Sequence, residues 1–233
     1  MASSPATSSF APGEGAAAGT SRKPDPGPRL EARPPPSHDQ PLPEGDRNEN
    51  PPGLGLLGLV AEDYRTHDRK LLEPGFVAIA VHRFGNARMG VRPALLRAPL
   101  TLLYRLMFTL VNWLWGIDLS YTVRLGRRVR IWHHGGMVLG ARAIGDDVHI
   151  RHNTTFGVLN RRELQGKPII GNRVDIGVGA CILGAVTVGD DSVIGPNSVV
   201  LRDLPPGSVV MGIPARQAVL RMDGGSPPSG PAA

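Results

Sequence analysis

Large apolar residues return at close to every sixth position along the second half of the chain. The members of this series are Leu119, Leu125, Ile131, Met137, Ile144, Ile150, Phe156, Ile170, Ile176, Ile182, Val188, Ile194 and Val200. A period of six matches neither the 3.6-residue turn of an α-helix nor the two-residue alternation of an ordinary strand. It is typical of a coil of short parallel strands, in which each sixth residue points into a stacked interior and small residues turn the corners. The spacing therefore predicts a mainly β protein with a parallel β-helix over residues 118–216.

One long interruption breaks the series between Phe156 and Ile170. Thirteen residues, 157–169, lie between these two positions, and we expect them to form an outward loop. Long loops in compact domains are often functional. After the last repeat, Pro205, Pro206 and Gly207 predict a turn before one final strand.

Residues 54–117 show helical patterns instead. Ala61–Leu72 carries acidic residues near its start and basic residues near its end, which suits the helix dipole. Pro74 and Gly75 end this helix and a second one follows. The stretch 94–115 is the most apolar of the chain, but Arg97 and Arg105 interrupt it and leave less than the roughly 20 apolar residues of a membrane span. We expect core or subunit packing, with an interfacial membrane helix as the less favoured alternative.

Both ends of the chain have a different composition. Residues 1–53 and 217–233 are rich in Pro, Ser, Gly and Ala, so they bury too little apolar surface to offset chain entropy, and we predict disordered tails. A transit peptide is a second interpretation of the first segment. The pattern of a secretory signal is not recognisable there, and we expect a cytoplasmic protein.

Charge and cysteine content exclude some functions. The formal net charge is +6 and the pI is about 10.2, yet the arginines are scattered without interleaved aromatic residues, so a nucleic-acid partner is not expected. The single cysteine, Cys181, rules out an internal disulfide and is expected to fill space. The seven histidines do not group with Asp, Glu or Cys at ligand spacing, so no metal site is predicted.

Three further segments resemble a known family. The hexads, the segment HHGGMVLG and the closing Gly212-Ile213-Pro214-Ala215-Arg216 are similar to the serine O-acetyltransferases, and EDYRTHDR…GFVAIAVHRFG looks like the end of that family's helical domain. The resemblance covers roughly residues 60–216. It implies a left-handed parallel β-helix preceded by a small α-helical domain. The hand comes from the resemblance alone, because the general rule for parallel crossovers predicts the opposite one.

The resemblance also implies a catalytic pair. In the family a histidine of an H-x-x-G-x-V segment is the general base, and an aspartate fifteen residues earlier orients it; the matching residues are His133 and Asp118. An imidazole can take the proton of an attacking hydroxyl near neutral pH. A carboxylate on the far ring nitrogen fixes the tautomer. His134 is the alternative base if the register differs by one, and without the resemblance both histidines read as exposed residues of a turn.

Acetyl-CoA is the co-substrate that the resemblance implies. In the family it lies in a groove between two subunits, held mainly by backbone groups of the last coils, where small corners allow close approach and arginines can meet phosphates. The matching positions are Gly157, Gly177, Val178, Gly195, Pro196, Arg202 and Arg216. The glycines are at the same time ordinary corner residues of the coil. A groove that needs two chains implies a homotrimer, with a hexamer through the helical domain as the larger alternative.

The acceptor site departs from the family pattern. Asp63 matches an acidic position that contacts the ammonium group of serine, and Arg161, Arg162, Lys167 and His134 are further candidates for acceptor binding. However, Gly166 and Lys167 replace an Arg-His pair before Pro168, and Trp132 replaces an aspartate before the histidine.

Three functions therefore remain open. The first is a serine O-acetyltransferase that feeds cysteine synthesis. The second is an O-acetyltransferase acting on a sugar of a surface polysaccharide. The third is an inactive trimeric scaffold.

Overall fold

The structure, a computed structural model, describes residues 50–161 and 164–218. The predicted tails fall almost entirely outside these ranges, and so does Arg162. Within the described part, three α-helices precede fifteen short β-strands. The helices are α1 (Leu56–Thr66), α2 (Pro74–Ala87) and α3 (Ala94–Trp115), and a short 3₁₀ helix (Arg88–Gly90) follows α2.

The first helix ends six residues earlier than the charge pattern predicts. His67 stops it: the ring Nδ1 lies 2.8 Å from the Asp63 carbonyl, and the Ile131 N–H donates to Nε2 over 3.3 Å. Nδ1 therefore carries the proton, since Nε2 accepts. This imidazole caps a helix carbonyl and ties α1 to the β-helix at the same time.

The strands form three parallel sheets, which are the three faces of a prism. Face A contains β1 (Ile117–Asp118), β4 (Met137–Leu139), β7 (Thr155–Gly157), β10 (Cys181–Leu183) and β13 (Val199–Val200). Face B contains β2 (Arg124–Leu125), β5 (Ala143–Ile144), β8 (Ile169–Ile170) and β11 (Thr187–Val188). Face C contains β3 (Arg130–Trp132), β6 (His149–Arg151), β9 (Asp175–Ile176), β12 (Val193–Ile194), β14 (Val209–Met211) and the antiparallel β15 (Arg216–Gln217).

This architecture confirms the predicted fold, a β-helix preceded by a helical region. The apolar series fills the prism, and its members are at most 3% exposed. Cys181 lies just before one of them, half-buried on the outer side of face A.

One assignment in the series is wrong by two residues. Met137 pairs with Ile117, whereas Leu139 aligns with Phe156 and so continues the inward column of face A. Ile131 and Leu139 are eight apart, while Ile150 and Phe156, in the next coil, are six apart. The corner between β3 and β4 therefore holds two extra residues. Met137 is buried as well, which is why the pattern could not distinguish the two.

The long apolar helix α3 is packed less than expected. Only Tyr104 and Val111 of its 22 residues are buried within this chain, where the sequence analysis expects core or subunit packing. By length and composition α3 could cross a membrane. Its exposed apolar side chains are Leu95, Leu96, Leu102, Leu103, Leu106, Leu110, Trp113 and Leu114.

Candidate active site

The corner of the prism between β3 and β4 carries the predicted general base. His133–Gly136 connects β3 to β4, and His133 adopts a left-handed backbone with φ of 62°. Gly136 has φ of 62°, and a Cβ there would lie 2.5 Å from Oδ1 of Asn153 in the next coil, so a larger residue would displace the Asn153 side chain. The corner is thus held tightly from one side, while the imidazoles of His133 and His134 are exposed.

Asp118 lies on the coil next to this corner. It pairs with Val138 in face A, and because its neighbours Ile117 and Leu119 are buried, its side chain points outward. Among the described residues, no hydrogen bond joins Asp118 to His133 or to His134. The structure therefore brings the predicted pair onto adjacent coils without the contact that would orient the base. Catalytic hydrogen bonds often tighten only when substrate binds.

A residue that the sequence analysis missed contacts His133 directly. The ring centroids of His133 and His152 are 5.6 Å apart, and the two planes are nearly perpendicular at 86°. Trp132 pairs with Arg151 between β3 and β6, so the next residue of each strand stacks at the corner. His133 and His152 are nineteen residues apart, close to the length of one coil. This separation predicts a contact only when the register between the coils is known.

Four of the predicted cofactor residues share this edge of the prism. Gly177 and Val178 follow β9, and Gly195 and Pro196 follow β12, in the positions where His133 follows β3. A Cβ on Gly177 would lie 2.6 Å from the Pro196 nitrogen, so successive coils are in close contact here. Gly177 is buried, Val178 and Gly195 are half-buried and Pro196 is exposed, and these small residues lie along the same edge as the candidate base.

The remaining cofactor candidates lie elsewhere. Gly157 ends β7 on the opposite edge of face A, where its carbonyl accepts from Gly184 N over 2.8 Å. Arg216 is exposed in β15, opposite Met211, and the exposed Arg202 lies 3.5 Å from the Ala215 carbonyl. Both arginines are at the last coil.

Of the described acceptor candidates, His134 is part of this corner, whereas Asp63, Arg161 and Lys167 lie on other elements. Asp63 is fully buried, and its carboxylate accepts from Nε of Arg83 over 3.0 Å. Burial raises the pKa of Asp63, although the adjacent guanidinium opposes this shift. In this chain the Asp63 carboxylate is shielded from solvent and paired with Arg83, and its expected contact with an ammonium group stays a prediction. Arg161 is exposed and Lys167 is half-buried, both in the loop after β7.

The residue before His133 has a defined environment. The Trp132 ring lies 3.7 Å from the Arg130 guanidinium carbon, and Nε1 donates to Nδ1 of His149 over 3.3 Å. Arg130 is in turn paired with Asp68. The Trp132 ring, with the Arg130 guanidinium over its face, therefore stands where the resemblance implies a carboxylate.

Comparison with known proteins identifies the class. No family model matches the chain. The serine acetyltransferase of Helicobacter pylori is 38% identical over 147 residues, which cover 63% of this chain and 82% of the relative. Soybean serine acetyltransferase complexed with serine is 30% identical with a TM-score of 0.60, covering 70% of this chain and 69% of that one. Serine acetyltransferase from Brucella abortus in complex with coenzyme A is 28% identical with a TM-score of 0.56, covering 68% and 66%.

The fold and these relatives define an acyltransferase of the hexapeptide-repeat, left-handed β-helix class. Within that class, the chain belongs to the serine acetyltransferase family. Among residues 50–161 and 164–218, no group of three or more His, Cys, Asp and Glu side chains could hold a metal ion.

Proposed function

We propose that this protein transfers the acetyl group of acetyl-CoA to the hydroxyl of L-serine, forming O-acetylserine for cysteine synthesis. The observation that carries this proposal is the likeness to serine acetyltransferases over most of the described residues, with a histidine at the corner beside Asp118. Such a reaction needs a base for the hydroxyl and a surface for the thioester, and both can be assigned to one edge of the prism.

The base is His133. As the serine oxygen attacks the thioester carbonyl, the imidazole accepts the hydroxyl proton, the new C–O bond forms and the C–S bond breaks. The proton then passes from the imidazolium to the departing thiolate. Asp118 orients the ring and stabilises its charged form once acceptor and acetyl-CoA exclude water from the corner. His134, also exposed there, is the alternative base.

Acetyl-CoA lies along the column of Gly177, Val178, Gly195 and Pro196. The pantetheine arm can approach the backbone of these small residues closely, and Arg202 and Arg216 donate charge-assisted hydrogen bonds to the nucleotide phosphates. A column on one outer edge covers only one side of such a ligand. We therefore place the cofactor between two copies of the chain in a homotrimer. The exposed apolar residues of α3 suit a further contact that pairs trimers into a hexamer.

A second acceptor class is supported by two observations. Trp132 stands where the family has a carboxylate before the histidine, and Asp63 is buried against Arg83. The carboxylate before the histidine is thereby replaced, and the acid expected to meet a serine ammonium is paired with Arg83, whereas an indole ring is a common partner for a sugar. An O-acetyltransferase acting on a sugar of a surface polysaccharide is the alternative. The inactive scaffold is disfavoured, since Asp118 and His133 are both in place.

Cytoplasm is the proposed compartment. A single half-buried cysteine needs no oxidising environment, and acetyl-CoA is the co-substrate of the proposed reaction.

The decisive experiment measures CoA release from acetyl-CoA by the purified protein with a panel of acceptors. Release with L-serine supports the main proposal, and release only with a sugar or nucleotide sugar moves the assignment to the alternative. His133→Ala should lower turnover by ~10²–10⁴, the range for losing a general base, with the assembly unchanged. His134→Ala is the matched control, because it removes the adjacent exposed imidazole. Full turnover in His133→Ala together with its loss in His134→Ala would assign the base to His134.

A further inference from the structure

The six histidines within the described residues divide into two groups by their hydrogen bonds. His67 and His82 each bond a backbone carbonyl through a ring nitrogen, at 2.8 Å in both cases, and His149 accepts from the Trp132 indole. These three are structural. In the described part of the chain, the other three make no side-chain hydrogen bond, and they are His133, His134 and His152. All three lie at the edge where face C meets face A.

His152 is an unusual member of this second group, because its Nδ1 is buried and has no partner. A buried polar atom without a hydrogen bond costs roughly 1–3 kcal/mol. A leucine would fill such a corner without a polar atom to bury. A glutamine could turn its amide towards solvent. Nδ1 of His82 is buried without a partner as well, so the feature that distinguishes His152 is the contact of its ring with His133.

The backbone holds His152 more firmly than His133. The His152 carbonyl accepts from Gly179 N over 3.0 Å in the following coil, and the preceding Arg151 carbonyl accepts from the Thr154 hydroxyl over 2.7 Å. His133, by contrast, stands in the corner with two extra residues, on a left-handed backbone. The fixed ring can therefore set the orientation of the less constrained one.

The contact between them has a preferred geometry. Perpendicular rings with centroids 4.5–7 Å apart place the positive edge of one ring on the negative face of the other. The observed 5.6 Å and 86° fall within that arrangement. Since Asp118 does not bond His133 in the absence of substrate, His152 is the aromatic side chain that defines the plane of the candidate base.

We infer that His152 is a positioning residue for His133, which it holds through edge-to-face ring contact in the plane required for proton transfer. This inference rests on the proposed function, in which His133 is the base. The role belongs to the ring rather than to its nitrogens. A phenyl ring at residue 152 should therefore replace it.

The test compares His152→Phe with His152→Leu and His152→Asn. We expect the phenylalanine variant to keep kcat within about threefold and the leucine and asparagine variants to lose about 10–100-fold, by analogy with other misplaced catalytic groups. The KM for acetyl-CoA should be similar in all three variants, because each changes the same position one coil from Val178, so kcat is the parameter that separates them. His152→Phe also removes the buried unpartnered nitrogen, so its melting temperature should not fall.

A second readout is independent of turnover. The side-chain NMR signals of His133 should shift in His152→Leu, where the ring current of residue 152 is lost, and should move less in His152→Phe. Recovery of kcat by asparagine but not by phenylalanine would overturn ring positioning in favour of a role for the nitrogen. Unchanged His133 signals and unchanged kcat in His152→Leu would also overturn it. If His133→Ala retains full turnover, the proposed base is wrong, and the NMR comparison still decides whether His152 positions that ring.

Discussion

Asp63 and Arg83 form a fully buried ion pair between α1 and α2, with Nε of the arginine 3.0 Å from Oδ2 of the aspartate. The same guanidinium donates to the carbonyl of Leu125 over 2.9 Å and to that of Gly126 over 2.5 Å. One arginine thereby joins both helices to the first coil of the β-helix. An acid that matches a substrate-binding position in sequence serves here as part of the joint between the helical region and the prism.

Asp63→Ala should therefore affect folding rather than acceptor affinity. Removing one partner leaves the Arg83 charge buried and unpaired, which costs about 3–5 kcal/mol of unfolding free energy. Urea denaturation measures this loss. Arg173→Ala is the control, because it breaks an exposed pair with Asp191 and should leave the denaturation midpoint nearly unchanged. A normally stable Asp63→Ala protein with a raised KM for the acceptor would restore the binding role.

Acid should destabilise the protein through buried histidines. Burial lowers the pKa of His82 to about 3, while its Nε2 lies 2.8 Å from the Val123 carbonyl. Because the folded-state pKa lies below the ordinary 6.5, the unfolded chain binds the proton first, and stability falls as pH drops from about 6.5 towards 3. Burial lowers the pKa of His67 in the same direction.

Between pH 7 and pH 5 the His82 contribution amounts to about 2 kcal/mol. Unfolding free energies measured across this range test the value. His82→Gln can still donate to the Val123 carbonyl but cannot titrate, so its stability should depend less steeply on pH. An equal slope in both proteins would exclude His82 as the cause.

A matched pair of glycine substitutions can distinguish the roles of the two edges of face A in binding acetyl-CoA. Gly177→Ala should destabilise the protein, since its Cβ would lie 2.6 Å from the Pro196 nitrogen and 2.8 Å from the Gly195 carbonyl carbon. Gly157→Ala meets nothing within 4 Å and should fold normally. A raised KM for acetyl-CoA in folded Gly157→Ala would show that the cofactor extends to the far edge. An unchanged KM would confine it to the edge that carries His133.

The exposed face of α3 offers a test of assembly. Leu102 and Leu106 are 71% and 56% exposed and point away from the buried Tyr104. Replacing both with glutamate should dissociate a hexamer into trimers, because the charges would be buried without partners at the contact. Sedimentation velocity measures the masses. Leu201→Glu, on the β-helix, is the control; an identical mass distribution in wild type and the α3 variant would remove this face from the assembly.

Much of the fold could be predicted because a β-helix depends on local repetition. Each coil contacts only its neighbours, so a period of six implies inward columns without knowledge of distant contacts. The family was recognisable for the same reason, since its motifs are short and tied to the hexads. The catalytic pair and the cofactor residues stay predictions, and their positions on neighbouring coils follow from the same spacing.

The sequence by itself determined the class of fold, the helical region before it and the family, because the spacing of apolar residues along the chain follows the period of burial. Tertiary structure alone decided that Leu139 rather than Met137 continues the inward column, that Asp63 forms an ion pair with Arg83, and that the ring of His152 contacts that of His133. Each of these depends on register between coils or between a helix and the prism. Register is set by the summed packing of the whole interior, and two extra residues in one corner shift it without altering the local pattern of apolar positions.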